Sequence, residues 1–223
     1  MNFDASRMLS FDLETTSANP FEARIVTSAL VRIDGRQVEA KETLADPGVA
    51  IPEAAAAVHG ISTEKARAEG RPHDEVLNDT IAAIKKGWED GLTLIVYNAA
   101  YDLTVLRQLC PDFTVTGPVF DPYVIDRAKD KFRKGKRTLG AVCEEYNVKL
   151  DNAHEATADA TAAARIAWMQ VRNRFPELQE LDTDELMEFQ ALSFYEMQEG
   201  LKGYLERQGK SAANVNTSWP MQG

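Results

Sequence analysis

A chain of 223 residues, 44% hydrophobic and 27% charged, suits one globular domain, or one domain with an extension, whose core needs no covalent staples. Two cysteines, Cys110 and Cys143, with no C-x-x-C pair argue against a disulfide framework or zinc site and fit a reducing cytoplasm; no run is long enough to span a bilayer, and "MNFDASRMLSF" lacks the regions of a secretory signal. The net charge of −10 weakens non-specific attachment to a polyanion, so any nucleic-acid function must overcome that repulsion locally.

The first strand is expected over about Arg7 to Glu14, followed by a β-hairpin turning around Asp34-Gly35. "ADPGVAIPEAAAAVHGIS" reads as a loop with a short helical turn, and Ser62 or Thr63 is placed to cap a helix over "TEKARAEG". In "HDEVLNDTIAAIKKGW" the apolar residues Val76, Leu77, Ile81 and Ile84 recur at helical spacing. "LTLIVY", Leu92 to Tyr97, is a buried-type strand, and Asn98 is placed to cap the helix "AAYDLTVLRQL". "GPVFDPY" is a short strand entering another helix, "RAKDKFRKGKR" is basic, and "TLGAVCEEYNV" is a helix ending near Asn147. A long alanine-rich helix, "ATADATAAARIAWMQVRNRF", stops before Pro176. Beyond it, Asp182 and Glu185 have capping-box spacing at the head of an amphipathic helix, and the last residues read as a mobile tail.

The acids stand out against this framework. Alternation along the first strand puts Leu9, Phe11 and Leu13 on one face and Ser10, Asp12 and Glu14 on the other. Two carboxylates about 7 Å apart repel by about 2 kcal/mol at an effective dielectric of 20, and partial burial adds to this. A divalent cation offsets both penalties; the alternative is a strand end whose polar face meets water. Helical spacing places Asp102 over Leu106 and Leu109, and Asp159 with Ala162, Ala163 and Ile166, so both lie on faces that otherwise look packed. His154 precedes the second of these helices, where a solvated or capping role is the alternative. Carboxylate oxygens suit Mg²⁺ or Mn²⁺, two such ions clamp an in-line phosphoryl displacement, and a neutral imidazole can take a proton from water.

Four motifs in order carry a resemblance: "FDLETT" (Phe11 to Thr16), "VHGIS" (Val58 to Ser62), "YNAAYD" (Tyr97 to Asp102) and "HEATADA" (His154 to Ala160). Over about residues 7–172 the chain resembles the DEDDh 3′–5′ exonucleases, a family that includes the proofreading epsilon subunit of DNA polymerase III and ribonuclease T. The resemblance implies an α/β ribonuclease H-like fold, a central mixed five-stranded sheet flanked by helices. With the composition shift after Pro176, this divides the chain into an exonuclease domain over 1–175 and a C-terminal helical extension with a flexible tail over 176–223. It also implies release of nucleoside 5′-monophosphates from nucleic-acid 3′ ends, DNA favoured and RNA open, with two divalent cations, Mg²⁺ or Mn²⁺.

By position, Asp12, Glu14 and Asp159 correspond to direct metal ligands, Asp102 to the fourth acid and His154 to the general base. Thr15, Thr16, His59, Asn98 and Tyr101 fall on the substrate side; Tyr101 stands where the family has Phe, and Tyr97 where it has His. A catalytically silent binding or polymerase-associated module of the same fold is the alternative function. The basic run at 127–137 is a candidate phosphate-steering patch, with a solvated loop as the alternative. The stripe Leu186, Phe189, Leu192, Phe194, Leu201 and Leu205 reads as packing on the domain, self-association or a polymerase dock.

Overall fold

The computed structural model describes residues 2–150 and 153–222. A six-stranded mixed sheet runs in the order β4-β3-β2-β1-β5-β6. β1 (Arg7–Thr15), β2 (Ile25–Asp34) and β3 (Gln37–Asp46) form an antiparallel meander. β4 (Arg71–Pro72) lies parallel to β3, and β5 (Thr93–Ile95) and β6 (Val119–Phe120) extend the sheet parallel to β1. The sequence leads to five strands; the sixth is the two-residue β4, too short to leave a periodic signal. The hairpin turn falls on Gly35 and Arg36, one residue beyond the expected pair, because Asp34 still pairs with Gln37. Gly35 takes φ +64°, the left-handed conformation that a tight hairpin demands.

The helices are α1 (Glu53–His59), α2 (Thr63–Glu69), α3 (His73–Glu89), α4 (Ala99–Leu109), α5 (Pro122–Lys129), α6 (Leu139–Tyr146), α7 (Ala156–Met169) and α8 (Thr183–Arg207). Alternation on β1 divides the molecule. Leu9, Phe11 and Leu13 join Val76, Leu77, Ile81 and Ile84 of α3, with Leu103 and Leu106 of α4, in the main core. The opposite face meets α7, whose Ala156 and Ala160 pack on Ala29 and Val31 of β2. Ser10 Oγ donates to the carbonyl of Ala160 at 2.6 Å, a contact between strand and helix backbone that these small residues permit. Asp12 and Glu14 occupy this α7 face.

α8 starts with the expected capping box: Asp182 accepts from Asp184 N and Glu185 N, and Glu185 accepts from Asp182 N. It then covers the edge of the sheet. Gln190, fully buried, donates to Val119 O at 3.0 Å and accepts from Asp121 N at 2.6 Å, satisfying groups that an edge strand would otherwise leave open. Leu186 and Phe194 of the apolar stripe are buried, whereas Leu192 and Leu201 remain exposed. Within the segment expected as a mobile tail, Trp219 and Met221 pack against the main core, and Gln222 N donates to Thr104 Oγ1 at 2.8 Å.

Candidate active site

Three elements bring the acids together. β1 ends with Asp12 and Glu14 directed toward α7, α4 carries Asp102 in its first turn, and α7 carries Asp159 in its first turn. All four line one cleft with His154, Asn98, Tyr97 and Tyr101. Asp102 is 4% exposed, and its Oδ1 accepts from Leu13 N at 3.2 Å, joining α4 to β1. Glu14, His154 and Asp159 each present one atom able to ligate a cation, all within 4.8 Å of one another. His154 has φ +69°, and its N–H donates to Asp159 Oδ2 at 3.3 Å. A left-handed backbone at a residue other than glycine is uncommon and concentrates at functional sites. Here it turns the chain so that the exposed imidazole faces the acids.

Burial is the first cause raising the proton affinity of every acid in the set. Asp12 is pushed well above the ordinary carboxylate range by burial, then by the charges of Asp102, Asp159, Glu14 and Glu42. Asp102 moves the same way by burial, opposed by the Leu13 N–H. Glu14 is pushed up to about 7 by burial and then by the charges of Asp159 and Glu42; Asp159 is raised by burial and opposed by His154. Among the described residues no ion pair joins any of the four to Lys or Arg. Asp159 Oδ1 is buried without a hydrogen-bond partner. Buried carboxylates are normally paired, so an oxygen-rich cluster with an orphaned buried oxygen fits a hard divalent cation.

Two acids of this region escaped the sequence reading. Glu42 lies on β3 in the row Asp12, Ala29, Glu42 across the sheet. Its Oε2 accepts from Thr157 N at 2.9 Å and from Thr157 Oγ1 at 2.7 Å, capping α7 from outside because the helix's own N-cap residue, Glu155, makes no side-chain cap. Asp121 replaces Asn98 as the cap of α4. Asn98 sits at φ +65° with no capping bond from its side chain, while Asp121 accepts from Asn98 N at 2.9 Å, Ala99 N at 2.8 Å and Tyr123 N at 3.0 Å. Its signal in the sequence was the Asp-Pro pair opening α5.

A second recess, about 490 Å³, adjoins the acids and is lined by Glu14, Thr15, Thr16, His59 and Tyr101. Tyr101 Oη bonds to Thr15 Oγ1 and donates to Ser17 O, so the hydroxyl that distinguishes it from Phe ties its ring to the end of β1. Thr16 is buried, and its hydroxyl accepts from Arg24 N at 3.0 Å, which commits it to closing the loop after β1. His59 Nδ1 accepts from Ile61 N at 3.2 Å, and its Nε2 is buried without a partner. Asn98 lies in the acidic cleft rather than in this recess. The basic run is only partly free: Arg137 and Arg133 bind the buried Asp126, and Lys129 pairs with Glu177.

The RNase_T exonuclease family model matches residues 9–167, and the chain belongs to that family. It is 31% identical over 175 residues to a DNA polymerase III subunit epsilon-like protein of Rhodobacter capsulatus, covering 72% of this chain and 23% of that one. It is 28% identical over 182 residues to the PolC-type DNA polymerase III of Clostridium perfringens, covering 80% of this chain and 12% of that one. The chain thus spans about an eighth of the polymerase's length. Among solved structures, E. coli exonuclease I in complex with a dA16 oligonucleotide superposes with a TM-score of 0.64 at 22% identity, covering 78% of this chain and 42% of that one. Exonuclease X in complex with 5′ overhanging duplex DNA gives 0.58 at 17%, covering 82% and 99%. The fold is ribonuclease H-like, as expected, with one strand more. No helix among the described residues is long and apolar enough to cross a membrane.

Proposed function

We propose that the protein is a metal-dependent 3′–5′ exonuclease releasing nucleoside 5′-monophosphates, with DNA the favoured substrate. The observation that carries this reading is the convergence of Asp12, Glu14, Asp102 and Asp159 in one cleft beside His154, with no ion pair to Lys or Arg among the described residues. Asp12, Glu14 and Asp159 would hold divalent cations, Mg²⁺ or Mn²⁺, and Asp102 would complete the set; when bound, such ions supply Lewis-acid stabilisation of charge at the phosphate. The residues' own work is then specific. His154, exposed at the cleft mouth, accepts the proton of the attacking water, and its backbone bond to Asp159 fixes the turn that carries it. Tyr101 and His59 wall the recess for the 3′-terminal nucleoside, with Thr15 anchoring the Tyr101 hydroxyl.

The names of the relatives, polymerase III components and exonuclease I bound to a DNA oligonucleotide, support DNA and a replication or repair setting. The silent-module alternative is disfavoured because all five charged positions are present. The test is hydrolysis of an oligonucleotide in Mn²⁺ or Mg²⁺ with an EDTA control. Asp12→Ala and His154→Ala are expected to keep the wild-type circular dichroism spectrum and lose at least 100-fold in rate, on the order expected for removal of a general base. Wild-type rates in either variant would defeat the assignment.

A further inference from the structure

We propose that α8 and the adjoining 127–137 segment form the contact surface between two copies of this chain, joined about a two-fold axis with their α8 helices facing each other. A groove of about 720 Å³ runs along this surface, with Arg127 and Lys131 on one wall and Leu192, Glu196, Leu201 and Tyr204 of α8 on the other. α8 lies beyond residues 9–167, the part of the chain that the family model matches, so the surface belongs to this chain's own extension.

Three observations point to a second copy as the occupant. The first is apolar exposure. Leu192 is 59% exposed, Leu201 45% and Tyr204 53%, and they line the groove over about 18 Å of helix at the α-helical rise per residue. Phe132, on the neighbouring segment, is 92% exposed. The same helix already buries Leu186, Gln190 and Phe194 against the sheet, so α8 carries a second apolar side with nothing of the fold against it. A run of large apolar side chains on a protein surface marks a contact site. The second observation is that the chain's own tail is committed elsewhere. Trp219 and Met221 pack against the main core, and Gln222 N donates to Thr104 Oγ1. The third is charge that complements itself. Glu196 is exposed on the apolar wall, Arg127 and Lys131 are exposed on the facing wall, and none of the three has an ion pair among the described residues. A two-fold axis sets residue i of one copy on residue j of the other, and j on i. Glu196 of each copy then faces Arg127 and Lys131 of the other, which gives two identical sets of opposite charges flanking the apolar side chains. A polyanion or an acidic peptide would meet the like charge of Glu196, and a basic peptide that of Arg127 and Lys131. The occupant must carry both signs around an apolar ridge, and a second copy of this surface does.

The test is sedimentation equilibrium of the full-length chain at up to about 100 μM, where a contact of micromolar affinity is largely formed. Its readout is mass, so the result is independent of the nuclease reading. Wild type is expected at twice the chain mass. Leu192→Asp is expected to weaken the dimer by about 100-fold, because the symmetry places the unpaired carboxylate in the contact twice. Glu196→Lys and Arg127→Glu/Lys131→Glu, each alone, are expected to sediment as single chains, because like charges then face each other at both sites. An equimolar mixture of these two variants is expected to return to twice the chain mass, since every introduced charge then meets its opposite. All four positions are exposed, and each variant is expected to keep the wild-type circular dichroism spectrum. A wild type that stays at the single-chain mass would overturn the proposal. So would a dimer indifferent to Leu192→Asp, which would place the contact elsewhere. A mixture that fails to pair would show that the charges do not meet across a two-fold axis, and would overturn it equally.

Discussion

Replacing Glu42 separates two jobs that one carboxylate performs. Its Oε2 receives both the N–H and the hydroxyl of Thr157, holding the first turn of α7, three residues from His154 and two from Asp159. Its charge also raises the proton affinity of Asp12 and Glu14. Glu42→Ala removes both. Loss of a helix cap is worth about 1 kcal/mol, and loss of a negative charge at a helix N-terminus about 0.3–1 kcal/mol, so a net loss of about 1–2 kcal/mol is expected before relief of repulsion is counted. Glu42→Gln keeps an oxygen able to accept both bonds but removes the charge. It is expected to lose about two-thirds as much stability, since the charge goes and neutral hydrogen bonds are roughly half as strong as charge-assisted ones. If the cap positions His154, the turnover number falls in the order wild type, Glu42→Gln, Glu42→Ala, about tenfold overall, with KM nearly constant. Urea melts and steady-state kinetics on one oligonucleotide measure both quantities. Wild-type stability and turnover in Glu42→Ala would refute the reasoning. Equal losses in both variants would show that charge, not the cap, is what matters.

Two further outcomes follow from the buried acids. Glu14 has its folded-state pKa at about 7, above its ordinary 4.5. Its ionised form therefore disfavours folding: the penalty is absent below pH 4.5, grows as pH rises through this window and is complete above 7. With EDTA present, thermal stability is expected to fall by about 1–2 kcal/mol over that window, a figure reduced for partial solvent exposure, and Glu14→Gln is expected to flatten the fall. A metal-free melting temperature that rises from pH 5 to 7 in the wild type would contradict this. Asp121→Asn keeps an acceptor at the Oδ1 position but puts an NH₂ where Oδ2 accepts from Ala99 N and the Trp219 indole N–H, leaving both donors without an acceptor. A loss of about 2–4 kcal/mol in urea unfolding is expected, because buried donors forfeit their full desolvation cost; a change below 0.5 kcal/mol would show the hub to be dispensable.

The elements that position the site were legible because their patterns are local. Leu9, Phe11 and Leu13 alternate along β1 with the pair Asp12 and Glu14, α3 keeps helical period, and Asp102 and Asp159 lie on helix faces where an otherwise packed surface makes a charge conspicuous. The residues missed act across the chain. Glu42 sits on a strand that reads as ordinary exposed alternation, and only the pairing of β3 with β2, and β2 with β1, aligns it with Asp12. Asp121 stands in the Asp-Pro pair at the head of its own helix, and its service to α4 depends on β5 and β6 being neighbours. Arg137 looked like a free cation in a basic run, whereas the fold buries it against Asp126, eleven positions back. The tail looked mobile from its small polar residues, and one aromatic, Trp219, decides where it lies.

The central claim is that Asp12, Glu14 and Asp159 converge because cations occupy the space among them. Anomalous diffraction from crystals soaked in manganese tests it directly. The account predicts Mn²⁺ bound by oxygens of these three carboxylates, with Asp102 alongside and His154 facing them. Manganese bound elsewhere, or a map empty at this cluster under saturating manganese at neutral pH, would contradict it.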